Sequence, residues 1–108
     1  MTHRLAVLIS GTGSNLQAIL DAIEAGALPA RISLVLSNKA SAAGLARAER
    51  AGVPAEAIDH RGFPDRATFD QAMIERIDAH GADTVVLAGF MRILSPGFVR
   101  HYQGRLIN

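Results

Sequence analysis

The segment whose residue types best suit chemistry is SGTGSN, at residues 10–15. It follows a continuous apolar run at residues 5–9 and precedes leucine and isoleucine residues at helical spacing. A strand, loop and helix in this order direct backbone N–H groups and the positive end of a helix dipole into one small concavity. Glycine lets a ligand approach the backbone closely, and Ser14 and Asn15 add side-chain donors. The pattern predicts a phosphate-binding site at Gly13, Ser14 and Asn15.

Other interpretations of this loop depend on neighbouring residues. A tight turn in which Ser14 caps the helix would need no ligand and remains an alternative. The dinucleotide-binding fingerprint requires a third glycine, where this chain has Leu16, and an acid after the second strand, where it has the sequence SNK at residues 37–39. A P-loop requires Gly-Lys-Ser or Gly-Lys-Thr, but the only lysine is Lys39. The loop therefore favours a phosphate monoester over NAD or ATP.

The elements that position the loop alternate between strand and helix. Continuous apolar runs at residues 5–9, 32–36 and 84–88 predict strands buried on both faces, with weaker strands at 55–58 and 105–108. Apolar spacing and cap residues predict four helices: from Ser14 to a glycine cap at Gly26, over residues 41–50, from Asp65 to Gly81, and from Ser95 to about Tyr102. The predicted fold class is α/β, a three-layer Rossmann-like parallel sheet with helices on both faces.

The bulk composition narrows the class of protein. With 108 residues, 49% hydrophobic and 19% charged, the chain is expected to form one domain over residues 1–108. A net charge of +1 with scattered arginines argues against nucleic acid as a partner. The absence of cysteine excludes disulfides, thiolate zinc sites and a cysteine nucleophile. The first apolar run is too short for a signal peptide or membrane span, so a cytoplasmic protein without membrane contact is expected.

Two long motifs carry a resemblance to a known family. SGTGSNLQAI at residues 10–19 and AGFMRILSP at 88–96, with SNK between them, closely resemble the glycinamide ribonucleotide formyltransferases of purine biosynthesis, in register over the whole chain. The resemblance implies transfer of a formyl group from 10-formyltetrahydrofolate to the amine of phosphoribosylglycinamide. Both small molecules are then substrates, and no metal takes part. It also implies that the ribonucleotide phosphate binds at residues 13–15, where the loop's chemistry independently predicts an anion.

The resemblance further implies a folate-binding set, which comprises Arg66, Met91, Arg92, Ile93, Leu94 and Asn108. Backbone groups beyond a strand end would pair with the donors and acceptors of the flat heterocycle. From residue types alone, Met91, Ile93 and Leu94 are better explained as core residues, and Arg66 as a solvated residue in the first turn of a helix. The folate assignment therefore depends on the resemblance.

Asn108 is the one catalytic residue that the resemblance implies within the chain. It matches the asparagine of the family's Asn-x-His motif, whose amide donates to the formyl oxygen as that oxygen becomes an oxyanion. The motif's histidine and the family's aspartate would lie beyond residue 108. The chain is thus expected to be the N-terminal part of a single formyltransferase domain, inactive by itself. Four histidines, expected on the surface or in loops, do not replace the missing one: His3, His60, His80 and His101.

Three other functions remain alternatives. The chain could be a ribonucleotide-phosphate binding module without catalysis, or a related folate-dependent formyltransferase or hydrolase with another acceptor. The glycine loop argues against the second, because it suits a small phosphorylated acceptor. A dinucleotide-binding dehydrogenase is the third, weakened by the missing glycine and acid. A homodimer is also left open, because an unpaired sheet edge invites pairing between chains.

Overall fold

The computed structural model describes residues 2–108 and contains a parallel five-stranded sheet. The strands lie in the spatial order β3-β2-β1-β4-β5, with these bounds: β1 His3–Ile9, β2 Ala30–Ser37, β3 Ala55–Ala57, β4 Thr84–Leu87 and β5 Leu106–Ile107. β1, the central strand, pairs with β2 on one side and β4 on the other. The predicted α/β parallel sheet is confirmed.

Four α-helices connect these strands: α1 Ser14–Glu24, α2 Gly44–Arg50, α3 Arg66–Ala79 and α4 Pro96–His101. A short 3-10 helix, His60–Gly62, lies within the predicted loop before α3. The prediction that α2 starts at residue 41 is wrong by three residues. The N–H of Gly44 donates to the carbonyl of Gly11 at 2.9 Å instead of to a helical carbonyl, so regular helix begins only there. No helix among residues 2–108 combines the length and apolar character needed to cross a bilayer.

The sheet has a hydrophobic core on each face, because β1 alternates its side chains between the two. Leu5, Val7 and Ile9 join a core with residues of α1 and α2. Ala6 and Leu8 join a second core with residues of α3 and α4. Helices therefore cover both faces, as the uninterrupted apolar runs predict.

A bulge interrupts the pairing of β2 with β1. Leu5 pairs with Ile32, but the next residue, Ala6, pairs with Leu34, so Ser33 is an extra residue in β2. From there the register continues to the pairing of Ile9 with Ser37. Each strand then ends, which brings the residues that follow them close together at the carboxyl edge of the sheet.

Candidate substrate-binding site

Three loops meet where β1, β2 and β4 end at the same edge of the parallel sheet, the edge where open α/β sheets bind ligands. They enclose a cavity of about 310 Å³. It is lined by Ser10, Gly11, Thr12, Gly13, Ser14, Asn15, Lys39, Ala88, Gly89 and Met91. No acidic residue among residues 2–108 lines it, whereas Lys39 brings a positive charge. The cavity therefore suits an anion.

The N-terminus of α1 borders this cavity, and no side chain among the described residues caps it. Its N-cap is Gly13, with φ 77° and ψ 26°, and the first helical hydrogen bond runs from the N–H of Gln17 to the carbonyl of Gly13 at 2.8 Å. The N–H groups of residues 14–16 therefore have no partner within the helix. By contrast, Asp65 caps α3 and Ser95 caps α4. The alternative in which Ser14 is the cap is wrong, since Ser14 is already helical.

Helix α2 holds the glycine loop by two hydrogen bonds and a close backbone contact. The Nε of Arg47 donates to the carbonyl of Thr12 at 2.7 Å, in addition to the bond between Gly44 and Gly11. A Cβ placed on Gly13 would lie 2.7 Å from the Cα of Gly44, so the two backbones touch. The sequence gives no sign of this contact except a glycine at the start of an alanine-rich helix.

The segment at residues 89–95 follows β4, and its residues Gly89 and Met91 line the other wall of the cavity. Met91 is 78% exposed and Ile93 is 73% exposed. Leu94 is partly buried and packs against the core of α3 and α4. The interpretation of Met91 and Ile93 as core residues is therefore wrong, whereas it holds in part for Leu94. Their exposure leaves both side chains free to contact a ligand.

Arg92 adopts a position different from its exposed neighbours. Its guanidinium lies over the ring of Phe69, with Cζ 5.6 Å from the ring centroid, and its Nε is buried without a hydrogen-bond partner among residues 2–108. The ring of His60 lies edge-on to the ring of Phe69, with 6.1 Å between the two ring centroids. Within the 89–95 segment, the Arg92 Nε–H is thus a buried donor without a partner among the described residues.

Two buried acceptors, neither anticipated from the sequence, hold the 89–95 segment. The hydroxyl of Ser10 accepts from the N–H of Met91 at 2.8 Å and donates to the Oδ1 of Asn38 at 2.6 Å. The carboxylate of Asp70, in α3, accepts from the N–H of Ser95 at 2.6 Å. Ser10 thereby joins the ends of three strands, and Asp70 joins α3 to the start of α4.

The remaining residues that the resemblance singles out lie outside the cavity lining. Arg66 is exposed at the first position of α3, and Asn108 is exposed immediately after β5, at the same sheet edge as the cavity.

The four histidines also lie outside the cavity lining. Three face carboxylates: His3 with Asp83, His80 with Glu56 and His101 with Asp78. Residues 2–108 contain no group of three or more His, Cys, Asp or Glu side chains placed to hold a metal ion.

Together, the fold and this cavity define an α/β protein with a cavity suited to an anion at the carboxyl edge of a parallel sheet. Comparison with known proteins makes the assignment more specific. The formyl transferase family profile matches residues 3–108, and the chain belongs to that family.

Individual relatives agree with this assignment. Phosphoribosylglycinamide formyltransferase of Escherichia coli K12 is 51% identical over 104 residues, which cover 96% of this chain and 49% of that protein. The human trifunctional purine biosynthetic protein adenosine-3 is 50% identical over 105 residues, 97% of this chain and 10% of that protein. The crystal structure of glycinamide ribonucleotide transformylase 1 from Symbiobacterium toebii superposes with a TM-score of 0.94 at 46% identity, covering 97% of this chain and 50% of that one. The chain thus spans about half the length of the single-function relatives.

Proposed function

We propose that this chain supplies the phosphate-binding part of a phosphoribosylglycinamide formyltransferase, which transfers a formyl group from 10-formyltetrahydrofolate to the substrate's amine. The observation that carries the proposal is the cavity between the glycine loop and the 89–95 segment. Its walls include residues of the two motifs on which the resemblance to that family rests. A cytoplasmic location fits this role in purine biosynthesis.

The phosphate of the ribonucleotide would bind at Gly13, Ser14 and Asn15. The free N–H groups at the start of α1 face a cavity without acidic residues, and phosphate gains most from such donors at a helix N-terminus. Lys39 adds a positive charge to the lining of the same cavity. Binding energy gained here, far from the reacting amine, would hold that amine in place.

The folate would bind along the 89–95 segment and near Arg66. Backbone groups around Met91, Arg92, Ile93 and Leu94 would pair with the heterocycle, while the exposed Met91 and Ile93 side chains cover its faces. The guanidinium of Arg66 suits the carboxylates that folates carry.

In the proposed reaction, the amine nitrogen attacks the formyl carbon directly. A new bond forms between that nitrogen and the formyl carbon, the bond from the carbon to N10 of the folate breaks, and the proton lost by the amine replaces the formyl group on N10. Asn108 would donate its amide N–H to the formyl oxygen while charge develops there. The resemblance would place the family's histidine and aspartate beyond residue 108, so we propose no group among residues 1–108 for the proton transfer.

Calorimetric titration of the purified chain tests the phosphate site. Phosphoribosylglycinamide is expected to bind, whereas the same compound without its phosphate should not, because the loop offers donors for an anion. Equal binding of the two compounds would contradict the proposal. Binding of the ribonucleotide without any binding of 10-formyltetrahydrofolate would instead favour the phosphate-binding module without catalysis.

A further inference from the structure

We propose that Ser10 and Asp70 are positioning residues that fix the two ends of the 89–95 segment and so shape the folate side of the site before ligand binds. The inference rests on the proposed function in one respect, that this segment contacts the folate. Both residues are buried, Ser10 at 4% exposure, where it contributes to the cavity lining, and Asp70 at 2%.

Ser10 fixes the first end by using its hydroxyl twice. It donates to the Oδ1 of Asn38 at 2.6 Å, which orients the hydroxyl so that its lone pairs face the N–H of Met91 at 2.8 Å. Asn38 is itself only 2% exposed. A buried pair of this kind is costly to leave half-satisfied, so the three strand ends are held in one arrangement.

Asp70 fixes the second end. Its carboxylate accepts from the N–H of Ser95 at 2.6 Å, at the point where the Ser95 side chain caps α4 through the N–H of Phe98. Charged acceptors make shorter and stronger hydrogen bonds than neutral ones. Between the two fixed ends, Met91 and Ile93 still project into solvent. The segment therefore combines a held backbone with free side chains, the arrangement that a preorganised binding surface needs.

The glycine loop is held by different contacts, the bonds from Gly44 and Arg47 of α2. Loss of the Ser10 hydroxyl should therefore release the Met91 end and leave the phosphate-binding loop in place. The inference predicts a selective loss of folate affinity, whereas general destabilisation would lower the affinity for both substrates alike.

Ser10→Ala tests this inference, with Ser33→Ala as the matched control. Ser33 is also a buried serine of the same sheet, but its hydroxyl has no hydrogen-bond partner among residues 2–108. In Ser10→Ala, hydrogen exchange of the Met91 amide, followed by NMR, should accelerate about fivefold or more, as expected for loss of one net hydrogen bond. Affinity for 10-formyltetrahydrofolate should fall by a similar factor, with ribonucleotide affinity unchanged. Ser33→Ala should change none of these.

A second pair of variants tests the Ser95 end of the 89–95 segment. Asp70→Asn keeps an oxygen acceptor and should retain most of the protection of the Ser95 amide, whereas Asp70→Ala should lose it. Unchanged exchange at Met91 in Ser10→Ala, or equal loss of both affinities, would overturn the inference. If the unaltered chain binds no folate, the proposed function fails at this segment, while the exchange rates still decide whether Ser10 and Asp70 hold it.

Discussion

Gly13 sets the conformation of the glycine loop, so substitution there tests the loop most directly. Gly13→Ala places a side chain at φ 77° and brings its Cβ within 2.7 Å of the Gly44 Cα. We expect the free energy of unfolding to fall by about 2 kcal/mol, from the strained backbone and the overlap together. Urea denaturation measures this loss.

Gly11→Ala is the matched control for Gly13→Ala. A Cβ at Gly11 would meet no atom within 4 Å, and its φ is not positive. Gly11→Ala should therefore retain nearly the stability of the unaltered chain. Equal losses in the two variants would show that contact with α2 does not fix the loop.

Lys39 is a proposed binding residue, which the family resemblance includes only as part of the SNK segment at residues 37–39. It is exposed and lines the cavity beside the glycine loop. We expect Lys39→Met to weaken ribonucleotide binding about threefold at low salt, with a smaller effect at high salt, because an exposed charge acts through a screened field. Titration at two ionic strengths measures this. Arg50→Met, which removes an exposed charge from α2 away from the cavity, should leave affinity unchanged.

At the residue scale, the sequence predicts the loop but not what holds it. Gly13, Ser14 and Asn15 are contiguous and follow a strand, so their chemistry is visible in one short window. The roles of Ser10 and Asp70 depend on partners 81 and 25 residues away in the chain. Only the folded sheet brings such pairs together, and a lone serine or aspartate in an apolar run carries no signal of its partner.

At the element scale, the strands and helices follow their sequence signals closely. Asp65 and Ser95 cap α3 and α4 as predicted, because an N-cap needs only a side-chain oxygen and a nearby N–H. The bulge at Ser33 is not visible in the sequence, since a strand buried on both faces lacks the alternation that would reveal a shift in register. The late start of α2 likewise depends on the distant carbonyl of Gly11.

The edge strand β3 is only three residues long and is tied to α3 by an ion cluster. Glu56 of β3 accepts two bonds of 2.8 Å from the guanidinium of Arg76 and lies 2.8 Å from the Nε2 of His80. Hydrogen bonding to Arg76 is the main reason that the pKa of Glu56 falls from its ordinary 4.5 to about 2. A carboxyl whose pKa is lowered by folding stabilises the fold above its unfolded pKa, and this stability is lost as the pH falls through the folded pKa.

Glu56→Gln should therefore lower stability at pH 7 by about 1 kcal/mol, a value suited to a partly exposed ion pair. The difference from the unaltered chain should shrink between pH 4.5 and 2. Urea denaturation at several pH values over this range measures it. Glu75→Gln, an exposed substitution in α3, serves as control and should cause little change at neutral pH. A difference independent of pH would contradict the assignment.

At the scale of the whole molecule, the helices cover the sheet unevenly. The face that carries α1 and α2 has an apolar groove of about 320 Å³ beside β4 and β5, whose lining includes Leu28, Val86 and Ile107. An apolar groove of this kind is a common site of association. Sedimentation at increasing protein concentration would test the homodimer that the sequence leaves open.

The 108-residue polypeptide as a whole is expected to bind the phosphorylated substrate without turning it over. The proposed phosphate-binding residues lie within it, whereas the histidine that the family resemblance implies would fall two positions after Asn108. Assay of formyl transfer by the purified polypeptide tests this, with a full-length relative as the positive control. Turnover at a rate comparable to that relative would show that some residue of this chain moves the proton.

The extra residue in β2 bears on how the chain tolerates changes in length. Because Leu34 already pairs with Ala6, deletion of Ser33 would restore an uninterrupted pleat and keep every later pairing, including that of Ile9 with Ser37. Deletion of this one residue would therefore leave the ligand site unchanged. Deletion of one residue between residues 34 and 37 would instead shift the register of the rest of β2 by one residue. A different side chain would then lie beside Ser10. The residues between the deletion and the end of β2 would turn to the opposite face of the sheet, because the side-chain period of a strand is two.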